Sequence, residues 1–536
     1  MTAPTLSDYI EFLARPGSYA DPTTAVEIRQ THISVVAIAD TYVYKLKKPV
    51  RFDFLNFSTP KRRLHFCKEE IRLNRRLSPS LYVDLLPVYF YQGRLQFYPE
   101  GRVVNYVIQM HRLSEEGLLV NQIRRPAFSL TVLDRVAATL IRFYRQSKAT
   151  LGMRSYGSVR QVRRLARAVT PGTGELEQVG MPASTAYSLF QYLSGFPDSE
   201  SERFLHRMAT RRIVEGHGDL RCEHIHIEGS AVNIYDCLEF DRKLRCLDWL
   251  NDIAFLLMDL EYRRCRHLAG YLETKLLNAL ETEDVGALLT FYKTYRACVR
   301  GKVNRLKAAE TEVPEPEREA SRQKARRYYQ LALRYSLLGS APTVVVCLGS
   351  VASGKSTLAA ALASWLGVAH LSSDRLRKQQ AGVEPLTRLP DPERAQLYTP
   401  AMTDQVYNRL TGQALQEVKL AGAAMVDATY REPRHLQALR DQCRQEGIRL
   451  LVIQTQASEA LILQRLRSRE GQATVSDLRL SDYAPETFHL SYAVADLADT
   501  VLPVDTGEPV DQLIERRVFP WFREAGVPKA IIANKL

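Results

Sequence analysis

Two short alternating runs, Ser34-Val-Val-Ala-Ile38 and Tyr42-Val-Tyr-Lys-Leu46, predict paired strands near the start of the chain. Lys61 to Leu77 then carries apolar residues at helical spacing, and from about Leu130 helical periodicity dominates. A small β-rich lobe followed by a larger helical lobe is therefore expected. Arg318 to Leu338 reads as a helix, with Gly339 placed to act as its C-cap.

Beyond that glycine the pattern changes. Val344-Val-Val-Cys-Leu348 is a continuous apolar run of a buried strand, and Thr357 to Leu366 reads as a helix. Further apolar runs, Ala423-Ala-Met-Val426 and Leu450-Leu-Val-Ile453, alternate with helical stretches. Strands alternating with helices predict a parallel α/β sheet with right-handed crossovers. No internal repeat or low-complexity tract interrupts the chain.

A chain of 536 residues exceeds what one hydrophobic core usually supports, about 250–300 residues, so two or three domains are expected. The highly charged, two-proline stretch from Val313 to Arg327, followed by Gly339 to Pro342, places the boundary there. This divides the chain into 1–340 and 341–536.

Composition adds little but excludes some classes. With 45% hydrophobic and 25% charged residues the chain has the make-up of a folded globular protein. No apolar run approaches the roughly 20 residues of a membrane-spanning helix, so no membrane partner is expected. Eight cysteines without a CxxC pair, and an N-terminus lacking the basic-then-apolar layout of a signal peptide, predict a cytoplasmic protein. The net charge of +13 suits phosphate-bearing partners, nucleic acid included.

Candidate chemistry begins at residues 349–357, which fit GxxxxGK[ST] between a strand and a helix. Gly349 and Gly354 let backbone N–H groups curl around phosphate, with Ser350, Ala352, Ser353 and Thr357 in the same loop. Lys355 is placed for the β- and γ-phosphates of ATP and Ser356 for Mg²⁺. Asp374, in Leu371-Ser-Ser-Asp-Arg-Leu-Arg377, could accept the proton of an acceptor hydroxyl, or could simply cap a helix starting at Arg375. Arg377 could hold an anionic group of the acceptor. Asp427 ends an apolar strand, the Walker-B pattern of a metal carboxylate. Arg465, Arg467 and Arg469 could form a lid over the transferring phosphoryl group, or a solvated helix face.

Together, 349–357, Ser373-Asp-Arg-Leu-Arg377, Val426-Asp-Ala-Thr429 and the Arg465/Arg469 region resemble the P-loop kinases related to polynucleotide kinase, zeta toxins and gluconate or shikimate kinases. The resemblance spans about residues 342–510. It implies a three-layer α/β/α, AAA-type ATP-binding domain with Asp374 as catalytic base, Arg465 and Arg469 as lid arginines, and either a small-molecule hydroxyl or an RNA or DNA 5′ end as acceptor.

A second constellation lies upstream. His217-Gly-Asp-Leu-Arg-Cys-Glu-His-Ile225 followed by Ile234-Tyr-Asp-Cys-Leu-Glu-Phe240 resembles the aminoglycoside phosphotransferase and protein-kinase-like pattern, which implies a bilobal α+β domain. On that resemblance Asp219 is the catalytic carboxylate, Asp236 the metal ligand, Lys45 (preferred to Lys47) the strand lysine and Glu70 its helical partner. Asp248-Trp-Leu-Asn-Asp-Ile-Ala-Phe255 matches the segment that braces the catalytic loop. Two departures stand out: His224 replaces the metal-binding Asn, and no GxGxxG loop joins the first strands. Imidazole is a poor Mg²⁺ ligand. His217, Cys222, His224, His226, Cys237 and Cys246 also leave open a zinc site, although their spacing fits no common pattern.

The order of both halves, with Thr31-His-Ile-Ser34, Tyr44-Lys-Leu-Lys-Lys-Pro-Val50 and Asp236-Cys-Leu-Glu-Phe240, resembles bacterial bifunctional aminoglycoside phosphotransferase/ATP-binding fusion proteins. The expected function is an ATP- and Mg²⁺-dependent phosphotransferase. The alternatives are an ATP-driven regulatory switch with a degenerate kinase-like half and a polynucleotide 5′-hydroxyl kinase.

Overall fold

The computed structural model describes residues 4–52, 55–147, 149–470, 480–482 and 492–526. The chain forms two compact units. The first comprises Met1–Val162, Glu200–Asp259 and Leu268–Glu283; the second comprises Arg163–Ser199, Leu260–His267 and Asp284–Leu536.

In the first unit β1 (Glu27–Gln30), β2 (Ser34–Ile38), β3 (Tyr42–Lys47), β4 (Tyr82–Tyr91), β5 (Arg94–Gln96) and β6 (Arg102–His111) form an antiparallel sheet in the order β1-β2-β3-β6-β4-β5. The period of two along β3 sends Tyr42, Tyr44 and Leu46 into an apolar cluster with Val35, Ala37 and Val107. Lys45 and Lys47 consequently share the opposite face. Helix α1 (Pro60–Asn74) packs there through Cys67 and Ile71, against Tyr82 and Ile108.

Helix α1 stops three residues before the predicted end. The buried Asn74 donates to the Glu70 carbonyl at 2.8 Å and accepts from the Cys237 amide at 2.9 Å, which ties the helix terminus to another part of the unit. Further on, β7 (Ile213–Glu215) pairs with β10 (Cys246–Asp248), and β8 (Ile225–Glu228) pairs with β9 (Ala231–Ile234), both antiparallel. Helix α2 (Trp249–Tyr262) follows.

The second unit contains α3 (Gly286–Ala309), α4 (Glu315–Leu338), β11 (Thr343–Gly349), α5 (Lys355–Leu366), β12 (Ala369–Ser372), α6 (Ser373–Gln380), α7 (Pro400–Ala421), β13 (Ala423–Asp427), α8 (Pro433–Gln445), β14 (Arg449–Gln456), α9 (Glu459–Arg469) and β15 (Thr500–Asp505). Its five strands are all parallel, in the order β12-β13-β11-β14-β15. Val344, Val346 and Leu348 pack under α7 and α8, whereas Val345 and Cys347 point to the other face, where α5 packs. Both faces are covered, which is why every residue of β11 is buried and its sequence reads as an unbroken apolar run.

Gly339 caps α4 as expected, with φ 72°. The compact units are discontinuous in sequence, and α3 and α4 pack into the unit that carries the parallel sheet. No helix among the described residues is long and apolar enough to cross a membrane, and all eight cysteines are free.

Candidate functional sites

In the parallel sheet the strand order reverses direction at β11, and the crevice at the carboxyl ends of such strands is where ligands bind in open α/β sheets. The register brings the candidate residues to that edge. Cys347 pairs with Asp427, Ser372 pairs with Asp427 from the other side, and Gly349 pairs with Thr455. The loop of residues 349–357, Asp374 two residues beyond β12, and Thr506 just after β15 thus gather at one end of the sheet.

The phosphate loop is tightly built. A Cβ on Gly349 would lie 2.4 Å from Thr455 Oγ1, and Gly354, with φ 89°, would set one 3.0 Å from Thr506 Oγ1. Ser353 Oγ and Thr455 Oγ1 are hydrogen-bonded at 2.7 Å, and Thr506 Oγ1 donates to the Ser353 carbonyl at 2.7 Å. Arg465 on α9 donates to the Ala352 carbonyl at 3.1 Å, to Thr506 Oγ1 at 2.9 Å and to the Thr506 carbonyl at 2.7 Å. Arg465 therefore braces the loop from behind, while Arg467 is exposed and Arg469 half-buried on the same helix.

Asp427 is buried, and its Oδ1 has no hydrogen-bond partner among the described residues. Burial opposes its ionisation, but the nearby His370, Lys355 and Ser356 outweigh this and hold its pKa below the usual aspartate value. His370 Nε2 lies 3.5 Å from Asp427 Oδ2. An ionised carboxylate with one orphaned oxygen beside the Ser356 hydroxyl fits Mg²⁺, which takes one or two carboxylates and completes its shell with water and phosphate oxygens.

Asp374 is not an N-cap. Helix α6 begins at Ser373 with Ser372 as its cap, which places the carboxylate inside the first turn. Arg377 is buried: its Nη1 donates to the Leu397 carbonyl at 2.7 Å and to Thr403 Oγ1 at 3.2 Å, and its guanidinium lies 4.5 Å from the centre of the Tyr398 ring. Its hydrogen bonds thus tie α6 to the segment around Leu397 and Thr403, and its buried Nε lacks a partner among the described residues.

In the first unit, Lys45 Nζ lies 2.9 Å from Glu70 Oε1 and 2.7 Å from Asp236 Oδ1. Lys47, fully buried, reaches the other oxygen of Glu70 at 2.6 Å and also pairs with Glu239. Burial works against a charged Lys45, yet Asp236 and Glu70 overcome it and raise its pKa. Burial likewise opposes ionised Asp236, but Lys45 holds its pKa well below the usual value. Asp236 has φ 65°, an uncommon conformation for a residue with a side chain.

The loop that carries Asp219 is fixed by Asp252, whose carboxylate accepts the amides of His217 at 2.6 Å and Gly218 at 2.9 Å. Arg221 then donates to both oxygens of Asp219, at 2.9 and 3.1 Å, and to Glu223 at 2.5 Å. It also contacts His224 Nε2 at 3.0 Å. A guanidinium can only donate, so Nε2 is the acceptor, and Nδ1–H donates to the Asp219 carbonyl at 2.9 Å. In this arrangement the lone pair of His224 is directed to Arg221 rather than to a metal.

The six His and Cys positions that left a zinc site open are engaged elsewhere in part: His217 Nε2 meets the Tyr235 carbonyl at 2.9 Å, and His226 Nε2 meets Ser114 Oγ at 3.2 Å. No group of three metal-ligating side chains is found among the described residues. Residues that sequence reasoning passed over include Arg221 and Glu239, both inside the quoted motifs, and Thr506, Thr455 and His370, whose proximity arises only from strand register.

The family described as the AAA domain matches residues 344–484. An uncharacterized protein of Mycobacterium tuberculosis is 26% identical over 452 residues, covering 83% of this chain and 86% of that protein. Among solved structures, a gluconokinase from Sinorhizobium meliloti is 18% identical, covers 36% of this chain and 98% of its own, and has a TM-score of 0.24. A microcompartment-associated aminopropanol kinase is 13% identical and covers 61% of this chain and 97% of its own, with a TM-score of 0.34.

Proposed function

We propose that this chain is an ATP-dependent phosphotransferase of the cytoplasm whose second unit transfers the γ-phosphoryl group to a hydroxyl of a small molecule. The observation that carries the reading is the gathering, at one end of the parallel sheet, of a braced phosphate loop, the buried Lys355 and a carboxylate with an orphaned oxygen, Asp427. The AAA-domain match over 344–484 supports the nucleotide part of it.

In this reading the backbone of 349–354 and Lys355 hold the phosphates of ATP, and Ser356 and Asp427 hold Mg²⁺. Bound there, Mg²⁺ would supply neutralisation of phosphate charge. Asp374, on the first turn of α6, orients the acceptor hydroxyl and takes its proton. Arg465 keeps the loop in shape, and Arg469, one turn further along α9, faces the charge that develops on transfer.

For the first unit one observation favours a regulatory role. Arg221 occupies both Asp219 and His224, so the place of the second metal ligand carries a guanidinium instead of an oxygen. This unit binds nucleotide through Lys45 and Asp236 and turns it over slowly or not at all.

The test is transfer of label from γ-labelled ATP to a metabolite extract and to RNA, with wild type, Lys355→Ala and Asp219→Ala. Label on a small molecule that disappears in Lys355→Ala and persists in Asp219→Ala is the expected result. ATP turnover with no labelled acceptor, unchanged by Asp374→Ala, overturns the kinase reading in favour of a switch. Label on RNA ends moves the acceptor to nucleic acid.

A further inference from the structure

A second feature of the parallel-sheet unit lies away from the nucleotide edge. A narrow cleft, open to solvent, is lined by Glu261, Arg266, Arg334, Tyr335, Ser340 and Gly422, among others. Ser340 sits in the connection from α4 to β11, and Gly422 in that from α7 to β13, so the cleft lies at the amino ends of the two strands. The phosphate loop is at the other end of β11, about 20 Å along a strand of this length.

The charges around the cleft do not balance. Glu261 accepts from Lys293 Nζ at 2.8 Å and from the Tyr335 hydroxyl at 2.8 Å, so its charge is already matched by a buried lysine. Arg266 donates to the Ser340 carbonyl at 2.9 Å and, among the described residues, lies within ion-pair distance of no carboxylate, although Glu261 feels its charge. Arg264 pairs with Glu417 at 2.8 Å. Arg334 is 7% exposed, and its guanidinium has no hydrogen-bond or ion-pair partner among the described residues. Burial, reinforced by Arg266 and Arg264 against the pull of Tyr335 and Glu261, holds its pKa below the usual arginine value.

A buried charge without a partner is among the most costly features of a fold, and arginine does not escape it by deprotonating. Nor do the neighbouring backbone groups supply a negative side chain: the other lining residues are Leu338, Gly339 and Ala341, with Ala421 and Ala423. Two guanidinium groups around a small cleft suit a compact oxyanion, which each can grip with two parallel N–H donors.

We propose that this cleft binds a phosphate group between Arg334 and Arg266, either as inorganic phosphate or as the phosphate of a small monoester. The bound anion ties the end of α4, the entry to β11 and the end of α7 to one another. It thereby fixes the amino ends of the two strands that carry the phosphate loop and Asp427 at their other ends.

Thermal melting of the full chain tests this, with a non-hydrolysable ATP analogue and Mg²⁺ at saturation so that both nucleotide sites are filled. Wild type, Arg334→Met and Arg266→Met are titrated with inorganic phosphate and with glycerol 3-phosphate, against chloride of equal ionic strength. The wild type is expected to melt roughly 5 °C higher at an anion concentration a hundredfold above Kd. In both variants the response falls at least about tenfold in affinity. Whichever anion acts at the lower concentration identifies the source of the phosphate group. An equal response in wild type and variants, the same rise with chloride, or no rise with either anion overturns the proposal. Should Arg334→Met fail to fold, Arg266→Met decides alone: a lost response supports the site, and a full one overturns it.

Discussion

Arg221 and His224, three residues apart, are joined by a hydrogen bond of 3.0 Å in which the imidazole must be the acceptor. The bond takes the lone pair that a metal would need, and it does so beside Asp219, which the same guanidinium grips at both oxygens. His224→Asn supplies an oxygen at this position. In a Lys355→Ala background the variant is expected to raise Mg²⁺-dependent ATP turnover by the first unit at least about tenfold. The measurement is ADP release against Mg²⁺ concentration, and an unchanged curve counts against the Arg221–His224 bond as the obstacle.

Lys45 and Lys47 divide the carboxylate of Glu70 between them but have different outlooks. Lys45 also faces Asp236, whereas Lys47 is fully buried with Glu239 as its second partner. Lys45→Met should weaken nucleotide binding to the first unit with little loss of stability. Lys47→Met leaves the buried Glu239 without its cation and Glu70 with Lys45 alone, and should cost about 3–5 kcal/mol. Chemical denaturation together with nucleotide titration separates the two.

Arg465 contacts the phosphate loop through the Ala352 carbonyl and ties it to Thr506. Arg465→Ala should therefore raise KM for ATP as well as lower kcat, since the loop loses its shape before any transition state forms. Arg469→Ala should lower kcat alone, by about 10²-fold or more if it meets the transferring group. Steady-state kinetics with varied ATP tests both.

Glu261 is buried between Lys293 and Tyr335. Burial opposes its ionisation, but Lys293 chiefly, with Arg266 and Tyr335, brings its pKa below the usual 4.5. A depressed folded-state pKa means that its stabilisation is fully present above pH 4.5 and is lost as pH falls through the folded value. Glu261→Gln should therefore cost about 3 kcal/mol at neutral pH, with the gap to wild type narrowing below pH 4.5. Denaturant midpoints between pH 7 and pH 3 give the comparison.

Much of this was legible in the chain itself. The runs 34–38, 42–46, 344–348 and 423–426 each became strands, because a covered sheet demands apolar residues at a fixed period and the sequence supplies them. The glycines of 349–354, the lysine after them and the HGD segment were equally readable, since close approach to phosphate and a tight turn require particular residue types locally. The pair Lys45 and Lys47 was not separable by pattern, because residues two apart on a strand share a face. The positions of Asp236, left-handed at φ 65° and 191 residues from Lys45, and of Glu239 beside Lys47 distinguish them.

The sequence by itself determined the two kinds of unit, the parallel sheet and the phosphate loop, because periodicity and glycine placement act over a few residues. Tertiary structure decided which charges meet. Arg465 under the loop, the orphaned oxygen of Asp427, the lone pair of His224 spent on Arg221 and the unmatched Arg334 all depend on groups from separate elements. Electrostatic compensation is set by distance in space and by burial, neither of which the order of residues records.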